Sequence, residues 1–206
     1  MNRSQKSNVL FLTQLALLVA VEMVMKMIGL GSVPIGPLYM SFLTVPIAVG
    51  AIIMGPLAAM VLGGVFGFVS FMDAIKGASI MTSNLLAVSP VHTFILCFGM
   101  RVLMGLCVGL VYRGMEKICR RSAVNCFVGS ISAPLINTLL FMGYIVLVFY
   151  QTEYVQGLVA ANGAANPLMF VVLLVGVQGV VEAVVCSVVG TSVALGLKKA
   201  LPHSMR

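Results

Sequence analysis

Charge is what this sequence most conspicuously lacks. Of 206 residues, 8% are charged and only five are acidic. An ordinary soluble domain carries about a quarter charged residues. The shortage excludes a water-soluble globule, because a chain of this length could bury a core but could not clothe it in polar side chains. With 61% hydrophobic residues, the solvent that fits is a bilayer. Metal and disulfide frameworks are missing too. The five cysteines, at 97, 107, 119, 126 and 186, form no C-x-x-C and no Cys/His ligand spacing, so they read as small buried hydrophobes. There is no G-x-x-x-x-G-K-[ST], no H-E-x-x-H and no G-x-S-x-G, the signatures of nucleotide hydrolysis, zinc proteolysis and serine hydrolysis. The stretch GLGSVPIG lacks the third glycine of a dinucleotide fingerprint, and His92 and His203 stand isolated. The reading is no enzyme, no cofactor and no metal in this chain. A net charge of +7 would suit nucleic acid, but the positive residues gather at the ends of apolar runs, where such clusters set membrane orientation.

What is present is a series of apolar runs. A membrane-crossing helix needs about 17–25 apolar residues. The runs predict six transmembrane helices, at 9–28, 38–54, 56–72, 91–113, 124–149 and 168–196, in one integral membrane domain covering 1–206. The first follows Arg3 and Lys6 without a small-x-small cleavage site, so it reads as a retained helix and not a signal peptide. Residues 27–72 carry no charge. That is too long for one span, and Gly55-Pro56 is the break, since proline starts helices and disrupts their interiors. The stretches 73–90 and 150–167 read as loops. Arg3, Lys6, Arg113, Lys117, Arg120, Arg121, Lys198, Lys199 and Arg206 fall on one side, against Lys26 and Lys76 on the other. This asymmetry puts both termini in the cytoplasm.

Polar residues at membrane depth are costly and face an interior or a partner. Arg101 lies about 16 Å into its helix and Glu182 about 21 Å into the last, counted from the same side. Two readings are open. Arg101 binds an anionic ligand, or it pairs with Glu182 and ties two helices together. Gln178 sits one turn before Glu182, Asn137 and Tyr144 share a helix face, and the outer segments offer Tyr39, Ser41, Thr82, Ser83 and Asn84. Together they predict an outward-facing polar pocket. Glu22 and Lys26, four apart, read as a pair on the first helix. Gly105-x-x-x-Gly109 and Gly63, Gly64 and Gly67 allow close helix approach within the chain.

Several stretches also carry a family likeness. The hairpin VPIAVGAIIMGPLAAMVLGGVFGFVSF, the segment TSNLLAVSPV, and RVLMGLCVGLVYR, LINTLLFMGY and VEAVV resemble the substrate-binding S components of energy-coupling factor (ECF) vitamin transporters. The resemblance covers nearly the whole chain and is closest to the pantothenate type. Met100 stands where that branch often has a proline before the arginine. The resemblance implies a subunit of an ABC-type importer in a bacterial cell membrane. It would capture a vitamin, most often pantothenate in this branch, from outside. It would work with a transmembrane T component and two ATPases, which would supply the ATP hydrolysis. It also implies that Ala16 and Ala20, an A-x-x-x-A pair, contact the T component. The substrate-binding residues expected are Arg101, Asn84, Asn137, Glu182, Gln178, Tyr39, Ser83 and Tyr144. The alternative is a self-sufficient secondary carrier for a small organic anion, against which the missing internal repeat counts.

Overall fold

The computed structural model describes residues 3–31, 33–35 and 38–200, with the main chain alone at 3–7, 34, 35, 38 and 39. His203 and Arg206 lie outside the described residues, as do the side chains of Arg3, Lys6 and Tyr39. The elements in chain order are α1 Arg3–Met27, β1 Val33–Ile35, β2 Leu38–Met40, α2 Thr44–Ile53, α3 Pro56–Ile75 and α4 Ile80–Val88. They continue with α5 Pro90–Ile118, α6 Ser122–Phe149, α7 Glu153–Ala161 and α8 Pro167–Ala200. Five of these helices, α1 (over Asn8–Met27), α3, α5, α6 and α8, are long and apolar enough to cross a membrane. The chain is an all-α membrane protein with one small antiparallel ribbon among the described residues, in which Val33 pairs with Met40.

The second apolar run departs from expectation. It does not form one helix over 38–54. Residues 38–40 pair with 33–35 as the ribbon, and the helix begins only at Thr44. Its 10 residues reach about 15 Å, half of a hydrocarbon core of about 30 Å. Pro46 lies in the first turn of α2, where proline is tolerated, whereas a helix begun at 38 would hold it in its interior, where proline breaks the hydrogen-bond ladder. The stretches read as loops are mainly helical, since α4 lies within 73–90 and α7 within 150–167. Lys26 pairs not with Glu22 but with Asp73 of α3. The Glu22 carboxyl is buried with no hydrogen-bond partner among the described residues.

Local chemistry sets the breaks. Gly55 takes a φ of 92°, a left-handed conformation that favours glycine, and Pro56 then opens α3 at a position where its missing N–H costs nothing. Pro90 and Pro167 open α5 and α8 in the same way, and the Asn166 side chain accepts from the Met169 N–H at 2.8 Å. Pro134 lies inside α6 and cannot donate to the carbonyl one turn back. That carbonyl, of Ser130, is met instead by the Cys186 thiol of α8 at 3.2 Å.

The tightest pairing is α3 on α5. Gly63, Gly67, Gly105 and Gly109 line the crossing, and a Cβ at any of them would meet main-chain atoms of the facing helix. Close approach through small residues is how membrane helices gain packing without a hydrophobic driving force. Leu43, Ile47, Ala48, Leu62, Phe66, Met104 and Val108 pack as the core around this crossing. A second cluster of Met81, Leu85, Leu96, Met142, Phe149 and Phe170 lies under α4 and α7. At the far end, Lys198 donates to the hydroxyl of Tyr112, which donates to Glu116 at 2.6 Å, tying α5 to α8.

Candidate functional site

Between these two clusters lies a cavity of about 80 Å³, room for several water-sized groups. Helical periodicity builds it. Phe66, Val69, Ser70 and Asp73 present one face of α3, Asn137, Thr138, Phe141 and Met142 one face of α6, and Val175, Gln178 and Glu182 one face of α8. Residues three and four apart share a helix face, so each helix needs only a few polar positions to line a shared space. Arg101 enters from α5, Ser79, Met81 and Thr82 from α4 and the turn before it, and Gly31 and Ser41 from the segments flanking the ribbon.

Arg101 is buried and held on three sides. Its Nη1 donates to the Cys97 carbonyl at 3.1 Å. Its guanidinium lies 4.2 Å from the Phe66 ring centre and 5.0 Å from that of Phe141, distances at which a ring face attracts a cation. Its Nε has no hydrogen-bond partner among the described residues. No carboxylate among them comes within 4.0 Å of it. The expected alternative, a direct Arg101–Glu182 ion pair, is therefore not formed. Glu182 instead accepts from the Ser41 main-chain N–H at 2.7 Å and from Gln178 Nε2 at 3.4 Å. The short α2 explains this bond. Because the helix starts late, Ser41 remains non-helical and its N–H is available at the depth of Glu182.

The main chain of α5 aims Arg101. Residues Ile95–Gly99 form a π-helical turn in which the Met100 N–H reaches back to Ile95 O. The extra residue rotates the remainder of α5 by about 100° relative to an uninterrupted helix. Gly67 makes room for this turn, since a Cβ there would lie 2.7 Å from Cys97 O, the oxygen that holds Arg101.

Of the residues singled out from the sequence, Ser41, Thr82, Arg101, Asn137, Gln178 and Glu182 come together around the cavity. Asn84, Ser83 and Tyr144 do not line it. Asn84 donates to Ile80 O at 2.8 Å and borders a separate shallow depression shared with Tyr154. The Ser83 hydroxyl donates to Ala74 O at 2.8 Å, and Tyr144 shares a hydrogen bond of 2.9 Å with His92. Tyr39 belongs to β2, with its side chain outside the described residues. Phe66, Phe141 and Asp73 are site residues that sequence reasoning missed. The two phenylalanines look like core, and only the fold reveals that they bracket a cation. Ala16 and Ala20 are exposed on α1, on the helix face away from buried Glu22.

A cavity enclosed by membrane-depth helices, with a bracketed cation and buried hydrogen-bonding groups, can capture a small polar molecule. The family model described as ECF transporter, substrate-specific component, matches residues 10–194. No curated protein gives a match. The match spans most of the chain, and the protein therefore belongs to the substrate-specific components of ECF transporters, multi-pass membrane proteins that bind a small-molecule substrate and are not enzymes.

Proposed function

We propose that this chain captures pantothenate from outside a bacterial cell and delivers it inward with a T component and two ATPases. The observation that carries the ligand assignment is Arg101, a buried guanidinium with no carboxylate of the described residues within 4.0 Å and its Nε unpartnered beside a cavity. A cation at membrane depth without a direct ion pair is expensive. A ligand carboxylate offsets that cost, and the planar fork of arginine suits it. The hydroxyls and amide of pantothenate match Asn137, Gln178 and Glu182. Asn84, Ser83, Tyr39 and Tyr144 remain as candidates for contacts along the outer approach. The exposure of Ala16 and Ala20 supports a coupling face on α1. Two measurements on one pair of proteins test this reading. Purified wild-type protein should bind labelled pantothenate, and cells making it with its partners should accumulate the vitamin. An Ala16→Trp, Ala20→Trp variant should bind equally well and lose uptake, because bulk at these positions blocks close helix approach. Undiminished uptake by that variant removes the coupling role, and absence of pantothenate binding removes the ligand.

The orientation proposed for the single membrane domain has both termini in the cytoplasm. Lys26 and Asp73 join the ends of α1 and α3, whereas Gly55, at the start of α3, lies against Arg113. The ribbon and α2 therefore lead from one end of the bundle to the other. The cavity, lined by α4 and the turn before it, then faces the side away from Arg113, Lys117, Arg120 and Arg121. Cysteines introduced at Ala78 and Ala160 should react with an impermeant thiol reagent in intact cells, and one at Ile118 should not. Labelling at Ile118 alone would invert the orientation.

A further inference from the structure

We propose that a phospholipid acyl chain occupies the groove between α6 and α8 and forms the outer support of the ligand cavity's wall. The groove measures about 780 Å³, and Thr138 is the one polar side chain among the described residues in its lining. Thr138, Met142 and Val175 line both this groove and the cavity that holds Arg101. The partition between them is one side chain thick. Nothing within the described chain backs it from the groove side, because Gly143 and Gly176 form part of the floor and a Cβ at either would meet no atom within 4 Å.

The occupant is indicated by position and shape. Both walls belong to membrane spans, so the medium around the groove is hydrocarbon. Along α8 the groove runs from Pro167 to Ala183, roughly 24 Å. One leaflet of a hydrocarbon core of about 30 Å fills more than half of that length. Exposed Leu139, Leu147, Leu168 and Val172 stand beside the recessed glycines, leaving a channel that suits a flexible chain better than a helix about 10 Å across. The proposed coupling helix packs mainly on α2 and α3, so the groove is not part of that face. A void against a thin partition forfeits dispersion contacts on one side. An acyl chain restores them and holds Met142 and Val175 against the ligand.

Filling the groove from within the chain tests this. Leucine at Gly143 and Gly176 has open space to enter and would take the acyl chain's place. Wild-type protein in short-chain detergent and the Gly143→Leu, Gly176→Leu variant would be compared with and without palmitoyl-oleoyl phosphatidylglycerol. By native mass spectrometry the wild type should retain one phospholipid that the variant lacks. Lipid should raise the melting temperature of the wild type and leave that of the variant unchanged. Pantothenate affinity, which rests on the ligand assignment above, should rise roughly tenfold with lipid in the wild type and be independent of lipid in the variant. Equal lipid retention by the two proteins, a dimer in place of the lipid adduct, or equal lipid dependence of the two would overturn the proposal. Failure of pantothenate to bind in any preparation would count against the ligand alone, with mass and melting temperature still deciding the groove.

Discussion

An Arg101→Ala variant should bind pantothenate roughly 10–150-fold more weakly than wild type, the equivalent of a charged hydrogen bond worth about 1.5–3 kcal/mol. Arg101→Lys should recover only part of the loss. Lysine keeps the charge but not the plate that fits between Phe66 and Phe141, nor the fork that meets a carboxylate with two N–H groups. The rival role is a structural tie to Glu182. It predicts that losing Arg101 strands a buried carboxylate, and that removing both charges restores the protein. The geometry argues otherwise, since Glu182 is held by Ser41 and Gln178 and lies beyond ion-pair distance of Arg101. An Arg101→Met, Glu182→Gln variant should therefore stay folded and still fail to bind. Calorimetric affinity and melting temperature, measured on the same preparations in detergent, separate the two roles. Wild-type affinity in the double variant would assign Arg101 to helix packing.

The second large effect is expected at the crossing of α3 and α5. A Cβ at Gly105 would lie 2.6 Å from the Ala59 carbonyl carbon and 3.0 Å from the Met60 nitrogen. These are main-chain atoms and cannot rotate aside. Gly105→Leu must push the two helices apart, and overpacking of this kind costs about 1–3 kcal/mol or more. For a chain of this size that corresponds to a fall in melting temperature of roughly 2–12 °C. Because the same crossing carries the Cys97 carbonyl and the start of the Arg101 turn, ligand affinity should fall as well. Gly196→Ala, where a Cβ meets nothing within 4 Å, should leave both unchanged. A Gly105→Leu protein that melts with the wild type would mean that the helices are not in contact there.

The composition alone determined the solvent. With so few charged residues there was no way to build a polar surface, and the long apolar runs marked α1, α3, α5, α6 and α8 because helix length and bilayer thickness are tied through a fixed rise per residue. Gly55-Pro56 marked the hairpin for an equally local reason, the conformational freedom of one residue and the restriction of the next. Arg101 was legible because an intramembrane charge is costly wherever it sits. Its partner was not. Depth counted along two helices placed Arg101 and Glu182 at similar levels, but depth is one coordinate. The rotation of each helix decides what a side chain faces, and here a π-helical turn before Arg101 and a ribbon beside Glu182 changed both. Neither leaves a periodic signature, because one extra residue in a helical turn and a three-residue ribbon are too short to alter the hydrophobic pattern of the run. Phe66 and Phe141 were hidden for the same reason, since an aromatic residue on an apolar helix reads as core until the fold sets a guanidinium between two of them. Local rules of solvent and backbone thus gave the class and most of the spans. Only tertiary packing, through the glycine crossing of α3 and α5, decided which polar groups meet around the cavity.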